Sequence, residues 1–581
     1  HDAFILSTDG SQIIDKKVSN AWIVLLTSLS IPIEHRFRRK ETFVTTVIPG
    51  PNNPADIDSF LWPIMEEMAQ LARGVWMWDG AREEWFLWRA WLVAAAADQQ
   101  ASSKLNRMTG PTGRLGCKTC HIIANYAEEG QTVGHFPLTT VDGDPRRAAW
   151  RPDEYDPFNL PLRDDDSYAE NLEQLEDCVT NADRAEVQKE TGVGGRPLLA
   201  WSPAFTMPTF FPSDVFHLFG CNIPSLIWEI LIDPHEGDPF SLSEDQQEQF
   251  GEVILGAGRD LPTIFSSAPL RDPGTNAKAH YKMFEWSLVI YLYLVPFLVS
   301  IAAPLPVIDM IMHLETAVRI ATSDGGCNST ELHDMQGQFK AFVSAWETPY
   351  IRGEPSLLYR ATISVHHLLH VWYFIYCHGS VQITSQARCE REVGLVKRSL
   401  RSHKSPFVGM MNNVLQREHL RIIDILLDDR QEEEEQDEAR ARTFRLETII
   451  RDDRHRPLTE DEQEDEGQAI QQYQQLGLIP TPCPPLIRRG KLVLPARVGT
   501  RQASVRGSRI ESDRSRKACR FSAMTPEGLI YGEALHFVCT DGQDRDGEVQ
   551  HGRHVFDGRH VFVIMRKLEI VDDGGGIVRG T

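Results

Sequence analysis

The chain has 581 residues, a formal net charge of −22, and 41% hydrophobic and 24% charged residues. A single hydrophobic core stops growing near roughly 250 to 300 residues, so two to four folding units are expected and wholesale disorder is excluded. The 10 cysteines are scattered, which excludes the dense disulfide framework of small secreted domains and points to a reducing interior.

The sequence opens at His1, without an initiator methionine and almost at once in an apolar run, and reads as a fragment whose start is missing. Residues 3–49 hold three strand-like runs, "AFILSTDG", "NAWIVLLTSL" and "TFVTTVIPG". Each is rich in β-branched or aromatic residues and ends in turn formers, so an antiparallel meander is expected. In "DIDSFLWPIMEEMAQLARGVWMWDG", Leu61, Ile64, Met65, Met68 and Leu71 recur at helical spacing, with Asp58 placed to cap. The run "EWFLWRAWLVAAAAD" reads as a further strand, although its alanines leave a helix open. Strand, strand, strand, helix, strand is the order of an RNase H-like core.

Residues 130–163, rich in Pro, Gly and Asp, read as an irregular connection, and helical periodicity dominates from Ser167 to Ile375. Within that region "WSLVIYLYLVPFLVSIAAPLPVI" is long enough to cross a bilayer. It contains Pro296, Pro304 and Pro306, and a buried helix pair with no membrane contact is expected. From Asp424 to Glu466 there are 18 acidic against 7 basic residues, a net of −11, the pattern of a solvated helix or linker. The stretch Arg488 to Arg520 has the opposite bias, 11 basic against 2 acidic residues. Local charge is therefore the useful quantity for judging a nucleic-acid partner. The tail, with "GLIYGEALHFVCT" and "HVFVIMRKLEIV", reads as a small β-rich, barrel-like domain. The expected organisation is an α/β chain in which an RNase H-like core (1–127 and 380–425) is interrupted by a connection and an α-helical insertion (128–379). An acidic linker (426–483) and a small β-rich domain (484–581) follow.

An RNase H-like core works through acidic side chains holding two divalent metals about 3.5 to 4 Å apart. Asp9 in "LSTDG" ends the first strand-like run, with Gly10 for the turn, and Asp98 in "VAAAADQQ" ends the later one. Taken singly, each is also an ordinary strand-end aspartate. For a third acid, "ARCEREVGLVKRSLRS" offers Glu390 and Glu392 on a basic amphipathic helix, whose Lys397, Arg398, Arg401 and Lys404 are candidates for phosphate contacts. An ordinary surface helix with paired charges fits the same residues.

Cys117 and Cys120 form a CxxC, which serves redox chemistry or half a zinc site. Two thiolates are commonly joined by two histidines, and His366 and His370 in "SVHHLLHVW" stand at i and i+4, while His367 points elsewhere. His121 follows Cys120 directly and is poorly placed to complete the same tetrahedron. Asp214 and His217 in "FPSDVFHLFGC" form a further, weaker pair of candidate ligands.

The stretches "IPGPNNPADIDSFLWPIMEEM", "DQQASSKLNRMTGPTGRLGCKTCHI", "GVGGRPLLAW", "FFPSDVFHLFGCNIPSLIWEIL" and "CEREVGLVKRSLRSHKSPF" follow one another over roughly residues 1 to 430. In them the chain resembles the cut-and-paste DDE/D transposases of the CACTA type and the related Kyakuja, Dileera and Zisupton group, especially fungal members. The resemblance implies an RNase H-like nuclease interrupted by a helical insertion, with Asp9, Asp98 and Glu390 on the family's triad positions and Asp214 and His217 on its D-x-x-H motif. The arrangement is also similar to the V(D)J recombinase catalytic subunit, where a CxxC after the second acid shares zinc with two histidines before the third. Here Cys117 lies 19 positions after Asp98 and His370 lies 20 before Glu390.

The expectation is a nuclease and strand transferase for cut-and-paste DNA transposition, using two Mg²⁺ or Mn²⁺ at Asp9, Asp98 and Glu390, with structural zinc at Cys117, Cys120, His366 and His370. Its partner would be double-stranded DNA, both transposon ends and target. Phosphates would be met by Lys104, Arg107, Lys397, Arg398, Arg401 and Lys404, in a homo-oligomer acting in the nucleus. A domesticated or inactive relative that binds DNA or chromatin without cutting it is the rival.

Overall fold

The computed structural model describes residues 1–14, 18–38, 41–127, 133–141, 151–261, 270–276, 281–323, 326–400, 406–435 and 460–475, with short strands between 486 and 580. The chain divides into two compact units, His1–Gln247 with Ala277–Asp424, and Glu248–Asn276 with Ile425–Thr581.

The first unit begins with strands β1 (Asp2–Gln12), β2 (Asn20–Ser28) and β3 (Thr42–Ile48), the expected meander. A helix, α1 (Asp58–Arg73), a hairpin of β4 (Val75–Asp79) and β5 (Glu84–Trp88), and strand β6 (Ala90–Ala97) follow. The sheet order is β3-β2-β1-β6, antiparallel except for the parallel pair β1 and β6, so the sheet is mixed. Both faces are covered, because alternate residues point to opposite sides. Phe4, Leu6, Trp22, Val24 and Leu92 pack with Leu61, Ile64, Met65 and Met68, the apolar stripe of α1. Ala21, Ile23 and Leu25 face the other way.

Three local expectations change. The helical reading of "VWMWDG" fails, because α1 ends at Gly74, whose φ of 110° few side-chain-bearing residues tolerate, and the next residues pair as the hairpin. Asp58 is the first helical residue rather than the cap; its carboxylate accepts the Leu198 N–H and pairs with Arg107 at 2.7 Å. Gly10 lies inside β1, not in a turn: a Cβ there would come within 2.5 Å of the Trp22 ring, so glycine makes room for that ring.

Asp98 caps α2 (Gln99–Leu105), its side chain accepting the Ala101 N–H at 2.6 Å. Helices then predominate: α3 (Asp165–Glu176), α4 (Asn181–Thr191), α5 (Ile223–Ile232), α6 (Leu305–Ala321) and α7 (Ser329–Tyr350). Two stretches, Val215–Ile232 and Met283–Ser300, are long and apolar enough to cross a membrane by length and composition, with 61% and 39% of their residues buried inside the fold. Each contains a π-helical segment, Leu218–Asn222 and Val289–Tyr293. The apolar run Trp286–Ile308 overlaps only the second of the two.

The chain returns to the sheet through α8 (Ile363–Leu368), α9 (Val371–His378), α10 (Ala387–Ser399) and α11, which begins at Pro406. Cys389, Val393 and Val396 of α10, with Met410 and Val414 of α11, cover Ala21, Ile23 and Leu25. Helices therefore lie on both faces of the mixed sheet.

In the second unit, Arg520–Thr525, Gly528–Thr540, Val561–Ile570 and Val578–Gly580 form an antiparallel sheet in that order, and Leu486–Arg489 pairs with the far end of the second. Residues 436–459, which hold much of the acidic block, lie outside the described residues, as does most of the basic stretch.

Candidate functional site

Asp9 and Asp98 come together through strand pairing. In the parallel ladder Thr8 is opposite Ala97, so the residues that follow, Asp9 still within β1 and Asp98 just after β6, stand side by side. In the antiparallel ladder Asp9 is opposite Ile23. Ile23 packs against Cys389, and this contact brings Glu390 over the end of β1.

The electrostatics record this crowding. Burial and the neighbouring carboxylates of Glu390 and Asp98 push Asp9 up to about 7. A hydrogen bond with Glu390 adds to these in favouring the protonated form of Asp9. Glu390 is held below its ordinary value, chiefly by a hydrogen bond from His217. Glu392 faces elsewhere: it is buried and pairs with Arg417 of α11 at 2.7 Å.

The D-x-x-H pair belongs to this centre. Asp214 caps a short turn of helix, accepting the Phe216 N–H at 3.0 Å, and its other oxygen holds His217 Nδ1. His217 Nε2 then lies 3.3 Å from Glu390 Oε1. Burial disfavours the imidazolium, but hydrogen bonds to Asp214 and Glu390 outweigh it and raise His217 to about 11. The backbone N–H of Gln386, at the start of α10, points to Asp214 at 3.4 Å and ties this turn to the helix of Glu390. Asp214 and His217, expected as lesser metal ligands and as the D-x-x-H motif of the resemblance, here bear on Glu390. D-x-x-H spacing does signal a carboxylate and an imidazole on one helical turn, but their target lies 173 positions away in Glu390 and is supplied by the fold alone.

Cations surround the cluster unevenly. Lys104 lies over the Trp22 ring, 4.9 Å from its centre, and feels the charge of Asp98. Lys397 acts in the same way on Glu390. Arg398 is exposed, whereas Arg107 is engaged by Asp58 at 2.7 Å and Asp56 at 3.3 Å. Arg401 and Lys404 lie outside the described residues.

A second cluster is fully buried. One donor atom each from Cys117, Cys120, His366 and His370 lies within 4.8 Å of all the others. Cys117 Sγ is 3.5 Å from His370 Nε2, Cys120 Sγ is 3.3 Å from His366 Nε2, and the two imidazole nitrogens are 3.0 Å apart. Tetrahedral zinc with bonds of about 2.3 Å to sulfur and 2.0 to 2.1 Å to nitrogen requires separations of roughly 3.3 to 3.8 Å. The two sulfur–nitrogen separations fall in that range and the imidazole pair just short of it, and the buried donor set could bind zinc. The histidines do not share one continuous helix as expected: α8 ends before Leu369 and His370 precedes α9, but both rings still converge.

The protonation states suit ligation at Cys117 and His366, while burial and the bond to Cys117 push the Cys120 thiol well above its ordinary range. Burial favours a neutral Cys117 thiol, but hydrogen bonding from Cys120 and the adjacent His370 and His366 hold it well below the ordinary range. Burial lowers His366 to about 4, which leaves its imidazole neutral. The Thr119 N–H points to Cys117 Sγ at 3.4 Å. His121 is absent from the cluster, and its backbone N–H bonds to the Pro161 carbonyl at 2.8 Å. His367 is buried beside the cluster, within hydrogen-bonding reach of Cys117.

Asp9, Asp98, Cys117 and Cys120 all fall early in the chain, and their partners Glu390, His366 and His370 fall late. No curated protein matches the chain. The early part, residues 4–133, matches the model of the family described as Transposase family tnp2.

Proposed function

We propose that the chain is a DDE/D transposase of the CACTA-like kind, built on an RNase H-like core whose catalytic carboxylates are Asp9, Asp98 and Glu390. The observation that carries the reading is the meeting of these three acids: Asp9 within β1, Asp98 just after the parallel strand β6, and Glu390, hydrogen-bonded to Asp9 from a helix nearly 300 positions after Asp98. The match to a transposase family over residues 4–133, which covers both aspartates, supports it independently.

The donor set fits Mg²⁺ or Mn²⁺: it consists of carboxylate oxygens, whose mutual repulsion helps raise Asp9 to about 7 and would be relieved by a bound cation. Two such ions would supply an activated attacking oxygen and a stabilised leaving oxygen. The protein's own part is to hold the three carboxylates, orient Glu390 through His217, and offer Lys104 and Lys397 to the phosphate backbone. Cys117, Cys120, His366 and His370 would clamp the helical region onto the sheet through zinc. This reading carries with it double-stranded DNA as partner, both transposon ends and target, a homo-oligomer assembled on that DNA, and the nucleus as location.

The test is Mg²⁺- or Mn²⁺-dependent nicking of DNA bearing the element's own terminal sequences, followed by strand transfer. Asp98→Asn is expected to abolish both with folding intact, and undiminished nicking by that variant sinks the assignment. Salt-dependent DNA binding with no nicking under either metal would favour the domesticated DNA- or chromatin-binding rival.

A further inference from the structure

Lys118, inside the Cys117–Cys120 pair, is 7% exposed. A buried ammonium is costly unless its donors are satisfied, and packing alone would be served better by an apolar side chain. Its Nζ donates to Ser102 Oγ at 3.0 Å and to the Pro212 carbonyl at 2.8 Å. Both partners belong to segments that position the carboxylate centre. Ser102 lies one turn into α2, and its N–H bonds at 2.8 Å to the carbonyl of Asp98. Pro212 stands two residues before Asp214, which holds His217 against Glu390.

The lysine also fills the boundary between the two clusters. A cavity of about 30 Å³ there is lined by Lys118 and His367 from the thiol side and by Gln99, Asp214 and His217 from the carboxylate side. The charges that Lys118 feels come from both centres: Asp214 and Asp98 on one side, Cys117 on the other.

We infer that Lys118 is a positioning residue that braces the carboxylate centre from the metal-holding loop, tying α2 and the Asp214 turn to the Cys117–Cys120 segment. The inference rests on the reading of Asp9, Asp98 and Glu390 as a divalent-cation site. Closure of the thiol–imidazole cluster fixes the loop, and Lys118 transmits that position to Asp98 and His217. Zinc occupancy then matters to the carboxylates through a specific pair of hydrogen bonds, beyond general stability.

The experiment uses the full chain and measures Mn²⁺ binding by calorimetry together with zinc content by elemental analysis, for the unaltered protein, Lys118→Met, Ser102→Ala and Asp98→Asn. Lys118→Met is expected to keep its zinc and to bind Mn²⁺ about tenfold more weakly, the usual scale for removing an orienting partner. Ser102→Ala, which deletes one of the two acceptors with little change in volume, is expected to show a smaller loss in the same direction. Zinc-replete Lys118→Met with unaltered Mn²⁺ affinity overturns the inference. Should Lys118→Met fail to fold, unaltered affinity in Ser102→Ala overturns it equally. Unaltered Mn²⁺ binding by Asp98→Asn would instead show that the carboxylates are not the cation site, removing that reading and the inference with it.

Discussion

His217 Nε2 lies 3.3 Å from Glu390 Oε1, and Asp214 holds the other ring nitrogen. The imidazole is thus gripped from both sides by carboxylates and is charged at neutral pH, with its value raised from 6.5 to about 11. A raised histidine stabilises the fold fully below its unfolded value, and that contribution fades as pH climbs from about 6.5 through about 11. His217→Gln should therefore cost about 2 kcal/mol or more at pH 7, with the difference from the unaltered protein shrinking steadily towards pH 11. Denaturant titrations at pH 6, 8 and 10 measure this, and a pH-independent difference would show that the ring acts through packing alone. The same variant should lift Glu390 towards its ordinary value, weakening Mn²⁺ binding most at the acidic end.

Asp9 has the opposite sign. Its carboxyl is raised from 3.8 to about 7, first by burial and then by Glu390 and Asp98. The folded state holds a proton that the unfolded chain has released, so in the absence of divalent cations stability should fall as pH rises from about 4 to 7. Asp9→Asn removes the charge and should raise the melting temperature in chelator at pH 8 while abolishing the increment that Mg²⁺ gives the unaltered protein. Thermal unfolding with and without Mg²⁺ at pH 5 and 8 checks both halves.

Much of this centre was legible because it rests on short-range pattern. The three strands announced themselves by β-branched runs ending in turn residues, and Asp9 and Asp98 stood at the ends of apolar stretches. The Cys117–Cys120 spacing is likewise a local signal. The hairpin of β4 and β5 was hidden because "VWMWD" and "EWFLW" place apolar residues on both faces, leaving no apolar–polar alternation; Trp76, Trp78 and Trp85 are all more than half exposed. The buried Lys118 gave no signal at all, since lysine is rarely buried without a partner and its partners come from distant segments. His217 was found as a motif, but its attachment to Glu390 depends on how α10 packs across β2.

The buried thiol–imidazole cluster makes a stoichiometric prediction. Purified protein should carry about one zinc per chain, lost on Cys117→Ala or His370→Ala and retained on His121→Ala, whose ring lies outside the cluster. Ligation joins residues more than 240 positions apart, so stripping the metal should lower the melting temperature by about 10 °C, the shift expected for a loss of several kcal/mol in a unit of this size. Elemental analysis and thermal unfolding before and after chelation give both readings, and zinc retained by both cluster variants would show that the ligand set is different.

Glu390 and Glu392 stand two positions apart, and their surroundings predict opposite phenotypes. Glu392 is buried at 1% exposure and faces Arg417 at 2.7 Å. Neutralising it leaves that guanidinium only the longer contact with Glu418 at 3.6 Å, so Glu392→Gln should cost about 3 kcal/mol of stability. Its catalytic and metal-binding behaviour should survive wherever the variant remains folded, because its side chain turns away from Asp9. Glu390 is more exposed, and its loss removes the repulsion it exerts on Asp9 together with the attraction it shares with His217, two effects of opposite sign. Glu390→Gln should leave the unfolding midpoint within about 1 kcal/mol of the unaltered protein while abolishing Mn²⁺ binding and nicking. Denaturant unfolding and Mn²⁺ calorimetry on the two variants separate the roles. If Glu392→Gln lost the cation and Glu390→Gln kept it, the third acid would have to be reassigned by one half-turn of the helix.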